Sequence, residues 1–295
     1  METHIITSVS EYLTYIDSLN YTPKTSYTVS NISMFRGQSN ANWNLSPSLY
    51  RKGLFSSENL LLTELMHFCP NEFSKNRFDN LVKMQHFGLP TRLLDTTTNP
   101  LVALFFACKS ERQKHADGAV FVLDSFPVSW STDPLVDLIM DFVFDYYPYK
   151  MWLDQFLEQS VIKYSNALHR LMPDNTESLL SYLTVPLFAV MPTKTNARIE
   201  AQDGAFLVFG MKYRNREVST NSGTLGRVYY NFDPIDISPE DSIMNRCKKI
   251  IIPSDRKERI LKSLDLLSIN ERKLFPDLSH QINYIIEDVT NHTLQ

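Results

Sequence analysis

Gln85-His86-Phe87-Gly88-Leu89-Pro90-Thr91-Arg92-Leu93-Leu94-Asp95-Thr96-Thr97-Thr98-Asn99-Pro100 runs directly into Leu101-Val102-Ala103-Leu104-Phe105-Phe106-Ala107-Cys108-Lys109. The stretch reads as a turn, a strand and the entrance of a helix. Gly88 suits a positive φ, and Pro90 ends the helical period before it. Residues 92–97 form a short strand of imperfect alternation, with Leu94 and Thr96 on one face. Asn99 is a strong N-cap and Pro100 is favoured at the first helical position. The helix that follows is apolar nearly all round and must be buried. Asp95 and Thr97 therefore stand at the mouth of a strand-to-helix turn. They either point at a ligand or merely cap and satisfy the turn.

The bulk properties narrow the class. The chain has 295 residues, 43% hydrophobic and 12% aromatic, enough for one large globular domain or two ordinary ones. It has no apolar run of about 18 residues and no basic-then-apolar leader, so a cytoplasmic protein without membrane partners is expected. Cys69, Cys108 and Cys247 are far apart and odd in number, which suits a reducing compartment and forms no metal-binding spacing. A net charge of −4 gives no global basic footprint for nucleic acid. A local basic groove around Lys248, Lys249, Arg256, Lys257 and Arg259 stays open. Only 8 glycines occur, and Gly37, Gly88 and Gly204 fall inside polar clusters, where they are expected to serve special backbone geometry or close approach to a ligand.

Around the central stretch, the spacing predicts a helix near residues 9–19 and then a polar linker to residue 30. Strands are expected at 31–38, 118–124, 186–191, 205–209, 227–232 and 247–252. Residues 56–87 are helical with a break near Pro70. Residues 130–185 form a helical, aromatic insertion with Phe142, Phe144, Tyr146, Tyr147 and Tyr149. Ser254 is expected to cap a helix reaching Leu267, and residues 271–289 a last helix. Without a regular βαβ repeat the class is α+β. The organisation is an N-terminal helical extension over 1–29 and a single domain over 30–289.

Two further segments concentrate polar groups. Phe35-Arg36-Gly37-Gln38-Ser39 sets an Arg at a strand end, where its fork of donors suits phosphate or carboxylate or, equally, an internal acid such as Asp95. In Arg198-Ile199-Glu200-Ala201-Gln202-Asp203-Gly204-Ala205-Phe206, a strand would put Arg198, Glu200 and Gln202 on one face, either lining a site or forming a solvated edge. There is no glycine-rich phosphate loop, no G-x-S-x-G elbow and no His-Glu-x-x-His zinc helix. His86 stands among these polar groups, as a structural histidine more readily than a general base. A nuclease or hydrolase built on His86 and Asp95 lacks support, because no paired acids occur at metal-binding spacing.

Together these segments resemble the FRG domain family. Phe35-Arg36-Gly37-Gln38-Ser39 with Trp43, Leu45, Pro47-Ser48-Leu49 and Arg51 is similar to its opening signature. Residues 85–95 with Asn99-Pro100-Leu101-Val102-Ala103-Leu104-Phe105-Phe106-Ala107 resemble its central one. Arg198, Gln202, Gly204 and Phe206 fit a third, and Leu274-Phe275-Pro276-Asp277-Leu278 a fourth, so that the likeness spans about 30–287. Thr96 departs from the family, which usually carries Trp there.

The motif order is in turn similar to the Arg, Ser-Thr-Ser and Glu motifs of ADP-ribosyltransferases. The resemblance implies such a split β-sheet core with helical insertions and NAD as substrate. Arg36, with Gly37 and Gln38, would anchor the dinucleotide. Arg92 would add a second positive contact, His86 would line the site, and Asp95 and Thr97 would hold the nicotinamide ribose. Such transferases place the catalytic Glu two residues after a Gln or Glu, whereas here Gln202 is followed by Gly204. Either Glu200 takes the role, or Gln202 does so weakly, or the domain binds NAD without turnover. Two functions follow: an NAD-dependent ADP-ribosyltransferase, acting as a bacterial toxin or anti-phage effector on protein or RNA, or a non-catalytic nucleotide-binding sensor or interaction module. A toxin implies a neutralising antitoxin partner.

Overall fold

The structure, a computed structural model, describes residues 2–19, 31–146, 153–168, 176–194, 196–219, 227–235 and 247–293. Its strands are β1 (Glu2–Ile5), β2 (Asn31–Gln38), β3 (Leu93–Thr97), β4 (Gly118–Trp130), β5 (Leu187–Met191), β6 (Gly204–Phe209), β7 (Met211–Ser219), β8 (Arg227–Pro234) and β9 (Cys247–Ile252). Its helices in the first half of the chain are α1 (Val9–Ser18), α2 (Ser48–Arg51), α3 (Glu58–Phe68), α4 (Arg77–His86), α5 (Pro100–Cys108) and α6 (Pro134–Asp141). The second half adds α7 (Leu153–Leu168), α8 (Thr176–Leu183), α9 (Ala197–Ala201), α10 (Lys257–Leu266), α11 (Glu271–Leu274) and α12 (Leu278–Thr293). The polar linker expected up to residue 30, and Tyr147 and Tyr149, lie outside the described residues.

The chain is a mixed α and β protein with a large, mostly antiparallel sheet of seven strands in the order β1-β9-β4-β2-β3-β6-β5. The 13-residue β4 pairs β2 along its first part and then β5, in parallel, through Val128–Trp130. Five strands (β4, β2, β3, β6 and β5) are thereby joined in a ring, and closing a sheet on itself removes exposed strand edges. Alternation sorts their side chains. Met34, Leu94, Phe121, Leu207 and Phe209 belong to one buried cluster. On the opposite faces, Leu93, Phe206 and Val208 pack with α3, α4 and α6, and Phe35, Val120 and Val122 with α1, α5 and α10. Strands covered on both faces read as nearly continuous apolar runs, as Gly204-Ala-Phe-Leu-Val-Phe209 does.

Helix α5 is seated as its sequence requires. The Asn99 side-chain oxygen accepts from the Leu101 and Val102 amides at 3.0 and 3.4 Å, and Pro100 occupies the first turn. Val102, Ala103, Leu104, Phe105, Ala107 and Cys108 are all buried. The helix backbone lies directly on the sheet at two glycines: a Cβ on Gly37 would strike the Ala103 carbonyl, and one on Gly118 the Ala107 carbonyl. Gly37 was expected to serve special backbone geometry or close approach to a ligand, and its missing side chain admits α5. Gly37→Ala is expected to cost at least about 1–3 kcal/mol, because a rigid backbone must move to make room. A fall in the urea midpoint with unchanged slope would register it, and an unchanged midpoint would refute the close-packing account.

Several elements differ from expectation for local reasons. Residues 271–289 are two helices, α11 and α12, because Pro276 cannot donate and ends the first. Ser254 opens a single 3₁₀ turn, Ser254–Arg256, and α10 starts at Lys257. Four of the five basic residues near the C-terminus are engaged by described partners. Lys248 pairs with Glu2, and Lys249 donates to the Ala41 carbonyl at 2.6 Å. Lys257 is buried and donates to the Ser39 and Gln113 carbonyls at 2.7 and 3.0 Å, and Arg256 pairs with Asp255. No disulfide joins Cys69, Cys108 and Cys247, and no described helix is long and apolar enough to cross a membrane.

The largest difference falls at residues 197–201, expected as strand and found as α9. Asn196 caps this helix by accepting from the Arg198 amide at 2.8 Å, and Ala-Arg-Ile-Glu-Ala favours helix. Asp203, in the left-handed region at φ 46°, ends the turn and lets β6 begin at Gly204. The period is then 3.6, so Arg198 and Gln202 share a face at i, i+4 while Glu200 falls on the other side.

Candidate functional site

A cleft of about 310 Å³ opens where β2, β3 and β6 meet α4, α5 and α9. It lies at the lower end of the roughly 300–1,000 Å³ usual for small-ligand sites. Its polar lining comprises Arg36, Gln85, His86, Asp95, Thr96, Thr97, Asn196, Arg198 and Gln202. Its apolar wall comprises Phe35, Val82, Val102, Phe106, Ile199, Ala205 and Phe206. Among the described lining residues Asp95 is the sole carboxylate, set between two arginines and a histidine.

Arg36 sits on β2 beside β3, and its Nη1 donates to the Asp95 backbone carbonyl at 2.5 Å. Its Nε is buried without a hydrogen-bond partner among the described residues. Burial lowers the guanidinium pKa, and the nearby Asp95 carboxylate opposes the effect. Asp95 is presented by β3 between buried Leu94 and Thr96. Its Oδ1 accepts from Gln85 Nε2 at 2.8 Å, and Thr91 donates its hydroxyl to Gln85 Oε1. The carboxylate is therefore oriented by a side chain from the C-terminal end of α4.

The other wall is built from the α9 turn. Thr97 Oγ1 donates to the Gln202 carbonyl at 2.7 Å and accepts from the Asn99 amide at 3.0 Å. Gln202 Nε2 donates to the Leu274 carbonyl at 2.9 Å. Arg198 projects over Phe275, with its guanidinium carbon 4.5 Å from the ring centroid. Burial lowers the Arg198 pKa, while Asp95 and Asp277 raise it. Burial, reinforced by Arg198, also pushes the His86 imidazole pKa down, against the opposing pull of Asp277 and Asp95.

Of the candidates proposed from sequence, Arg36, Gly37, His86, Asp95, Thr97 and Gln202 line this one cleft. Arg92 does not: it is 2% exposed and forms a buried ion pair with Glu58, itself 3% exposed, with Nε–Oε1 at 2.8 Å. Gln38 is also buried away from the lining and donates to the Asn44 carbonyl at 3.3 Å. Glu200 faces outward, 3.8 Å from Lys194, as the helical period of α9 requires. No group of His, Cys, Asp and Glu among the described residues could hold a metal ion. Arg198 was singled out in the sequence beside Glu200 and Gln202, and Gln85 within the central motif, but neither was given a role in the site. The Asn196 cap before Ala-Arg-Ile-Glu-Ala was the signal that Arg198 and Gln202 would share a helical face.

Replacing Arg36 by Ala is expected to weaken binding of an anionic ligand by about 1.5–3 kcal/mol, the worth of a charge-assisted bond. Titration calorimetry with NAD measures it. A variant that unfolds would instead show that the link to the Asp95 carbonyl is chiefly structural.

No curated protein and no solved structure matches the chain. A family model does, over residues 31–116, which supply β2, α4, β3 and α5 to the cleft, while α9 and β6 come from beyond the match. Within that segment lie Phe35-Arg36-Gly37-Gln38 and the whole stretch from Gln85 to Cys108, and the family whose model they match is the FRG domain.

Proposed function

We propose that the chain is an NAD-dependent ADP-ribosyltransferase, built on an ADP-ribosyltransferase-like split-sheet core, with this cleft as its NAD site. The observation that carries the reading is the convergence of Arg36, Asp95, Arg198 and Gln202 from three distant segments on one cleft. Cleaving the bond between ribose C1′ and the nicotinamide nitrogen passes through an oxocarbenium-like state. The bonding pair leaves with nicotinamide, and a lone pair of the acceptor forms the new bond at C1′. Arg36 would hold the diphosphate. The Asp95 carboxylate, kept in place by Gln85, would stabilise positive charge on the ribose and take the acceptor's proton. The apolar wall of Phe35, Val82, Val102 and Phe106 would keep water from the ring.

One observation favours a second reading, a nucleotide-binding sensor without turnover: Glu200 stands outside the cleft, leaving no glutamate among the described lining residues. Incubation of the purified protein with NAD labelled in the adenylate portion, plus cell lysate, separates the two. Label on protein or RNA supports the transferase. Saturable binding of NAD with neither transfer nor nicotinamide release supports the sensor. The toxin or anti-phage role, with a neutralising partner, predicts that the chain expressed alone arrests growth and that a cleft variant does not.

A further inference from the structure

The Arg198 guanidinium has five donors, makes no hydrogen bond or ion pair with a described residue, and lies over the face of Phe275, with Asp95 and Asp277 acting on it only from a distance. That ring is itself fixed. It stacks on His280 at 4.9 Å with an interplanar angle of 24°, and Phe106 meets it edge-on at 6.0 Å. His280 is held in turn by Asp277, whose Oδ1 lies 2.6 Å from Nδ1 and also accepts from the Ser279 hydroxyl at 2.8 Å and the His280 amide at 3.2 Å. Gln281 Nε2 donates to the Phe275 carbonyl at 2.8 Å, and Gln202 Nε2 to that of Leu274 at 2.9 Å. A chain of contacts therefore runs from Asp277 through His280 and Phe275 to a guanidinium whose hydrogen-bonding edge is left for the cleft. Arg36 is in a similar state, its Nε buried in the same lining without a hydrogen-bond partner among the described residues.

We propose that Arg198 is a second anion-binding residue of the cleft, positioned by the Phe275–His280–Asp277 stack, so that Arg36 and Arg198 together take the two charged groups of a diphosphate. The inference deepens the NAD-site reading and rests on it for the location of the ligand. Two planar forks matched to two phosphates explain why neither arginine is ion-paired to the cleft carboxylate. Arg198 belongs to binding; Phe275 and His280 act through it as positioning residues.

Titration calorimetry with ADP, inorganic pyrophosphate and adenosine, each at several salt concentrations, tests this. The wild type is expected to bind ADP with an affinity that falls as salt rises. Arg198→Gln should weaken ADP about ten- to a hundredfold and flatten the salt dependence, with the melting temperature unchanged. Phe275→Leu should weaken ADP without altering the salt dependence, because the charge remains, and Phe275→Tyr should restore it. Pyrophosphate bound as tightly as ADP would assign the site to the diphosphate alone; adenosine bound as tightly as ADP would overturn the proposal. Equal affinity and salt dependence in wild type and Arg198→Gln would overturn it while leaving the NAD-site reading intact. A wild type that binds neither ADP nor pyrophosphate ends both. ADP binding sensitive to Arg198, without NAD cleavage, sustains the inference and removes the transferase.

Discussion

Replacing Arg92 with Met is expected to destabilise the protein by about 3–5 kcal/mol, the usual result of removing one partner from a buried ion pair. Glu58 would be left as a nearly inaccessible carboxylate, having lost the guanidinium that meets both its oxygens. The Phe209 carbonyl would also lose the Arg92 Nη1 donor at 3.2 Å. Exchanging both partners, Arg92→Met with Glu58→Leu, should recover most of the loss, since an apolar pair of similar volume needs no desolvation of charge. Denaturant melts of the three variants provide the comparison. NAD affinity of the double variant should equal that of the wild type, because neither side chain reaches the cleft. A stable Arg92→Met protein that has lost NAD binding would return Arg92 to the ligand site.

Asp95→Asn is expected to reduce ADP-ribosyl transfer about 10²–10⁴-fold, the range for loss of a positioned acid–base group. Stability should change by less than about 0.5 kcal/mol, since the side chain is solvent-facing and the amide is isosteric. Affinity for ADP should hold or rise, because the substitution removes a negative charge beside Arg36 and Arg198. Glu200→Gln provides the contrast and should leave transfer intact, as Glu200 is on the outer side of α9. If Glu200→Gln abolishes transfer and Asp95→Asn does not, the assignment of the reacting carboxylate is wrong.

The difference between these two carboxylates shows where sequence reading succeeded and where it stopped. Residues 31–38 and 247–252 were legible as strands because short apolar runs between turn residues leave few alternatives. The start of α5 was legible because Asn99-Pro100 is a local cap. Arg36, Asp95 and Gln202 were expected to converge, and one cleft holds them, whereas Gln38, Arg92 and Glu200, expected at the same site, lie outside its lining. Residues 198–202 were misread because an alternating polar pattern five residues long fits a strand and one turn of helix equally. The left-handed Asp203, whose carbonyl accepts from the Thr98 amide at 3.0 Å, favours the helical turn only once β3 lies alongside. The short β1, paired with β9 in parallel, carries no apolar alternation and was missed for that reason.

What the sequence determined by itself was local: caps, breaks, the buried character of residues 100–108, and the polar segments that had to be accounted for. Each depends on groups within a few residues of one another, where spacing alone sets the geometry. The tertiary structure decided how each polar group was satisfied. Arg92 and Arg36 are alike in sequence, each next to a strand and near a glycine or proline. Arg92 turns to Glu58, 34 residues away, and Arg36 turns to the cleft. A desolvated charge must find its opposite, and which distant segment supplies it depends on how the sheet closes. The same closure leaves Arg198 over Phe275 with its donors unmet by side chains in the described residues, a state that belongs to the assembled fold and has no local signature.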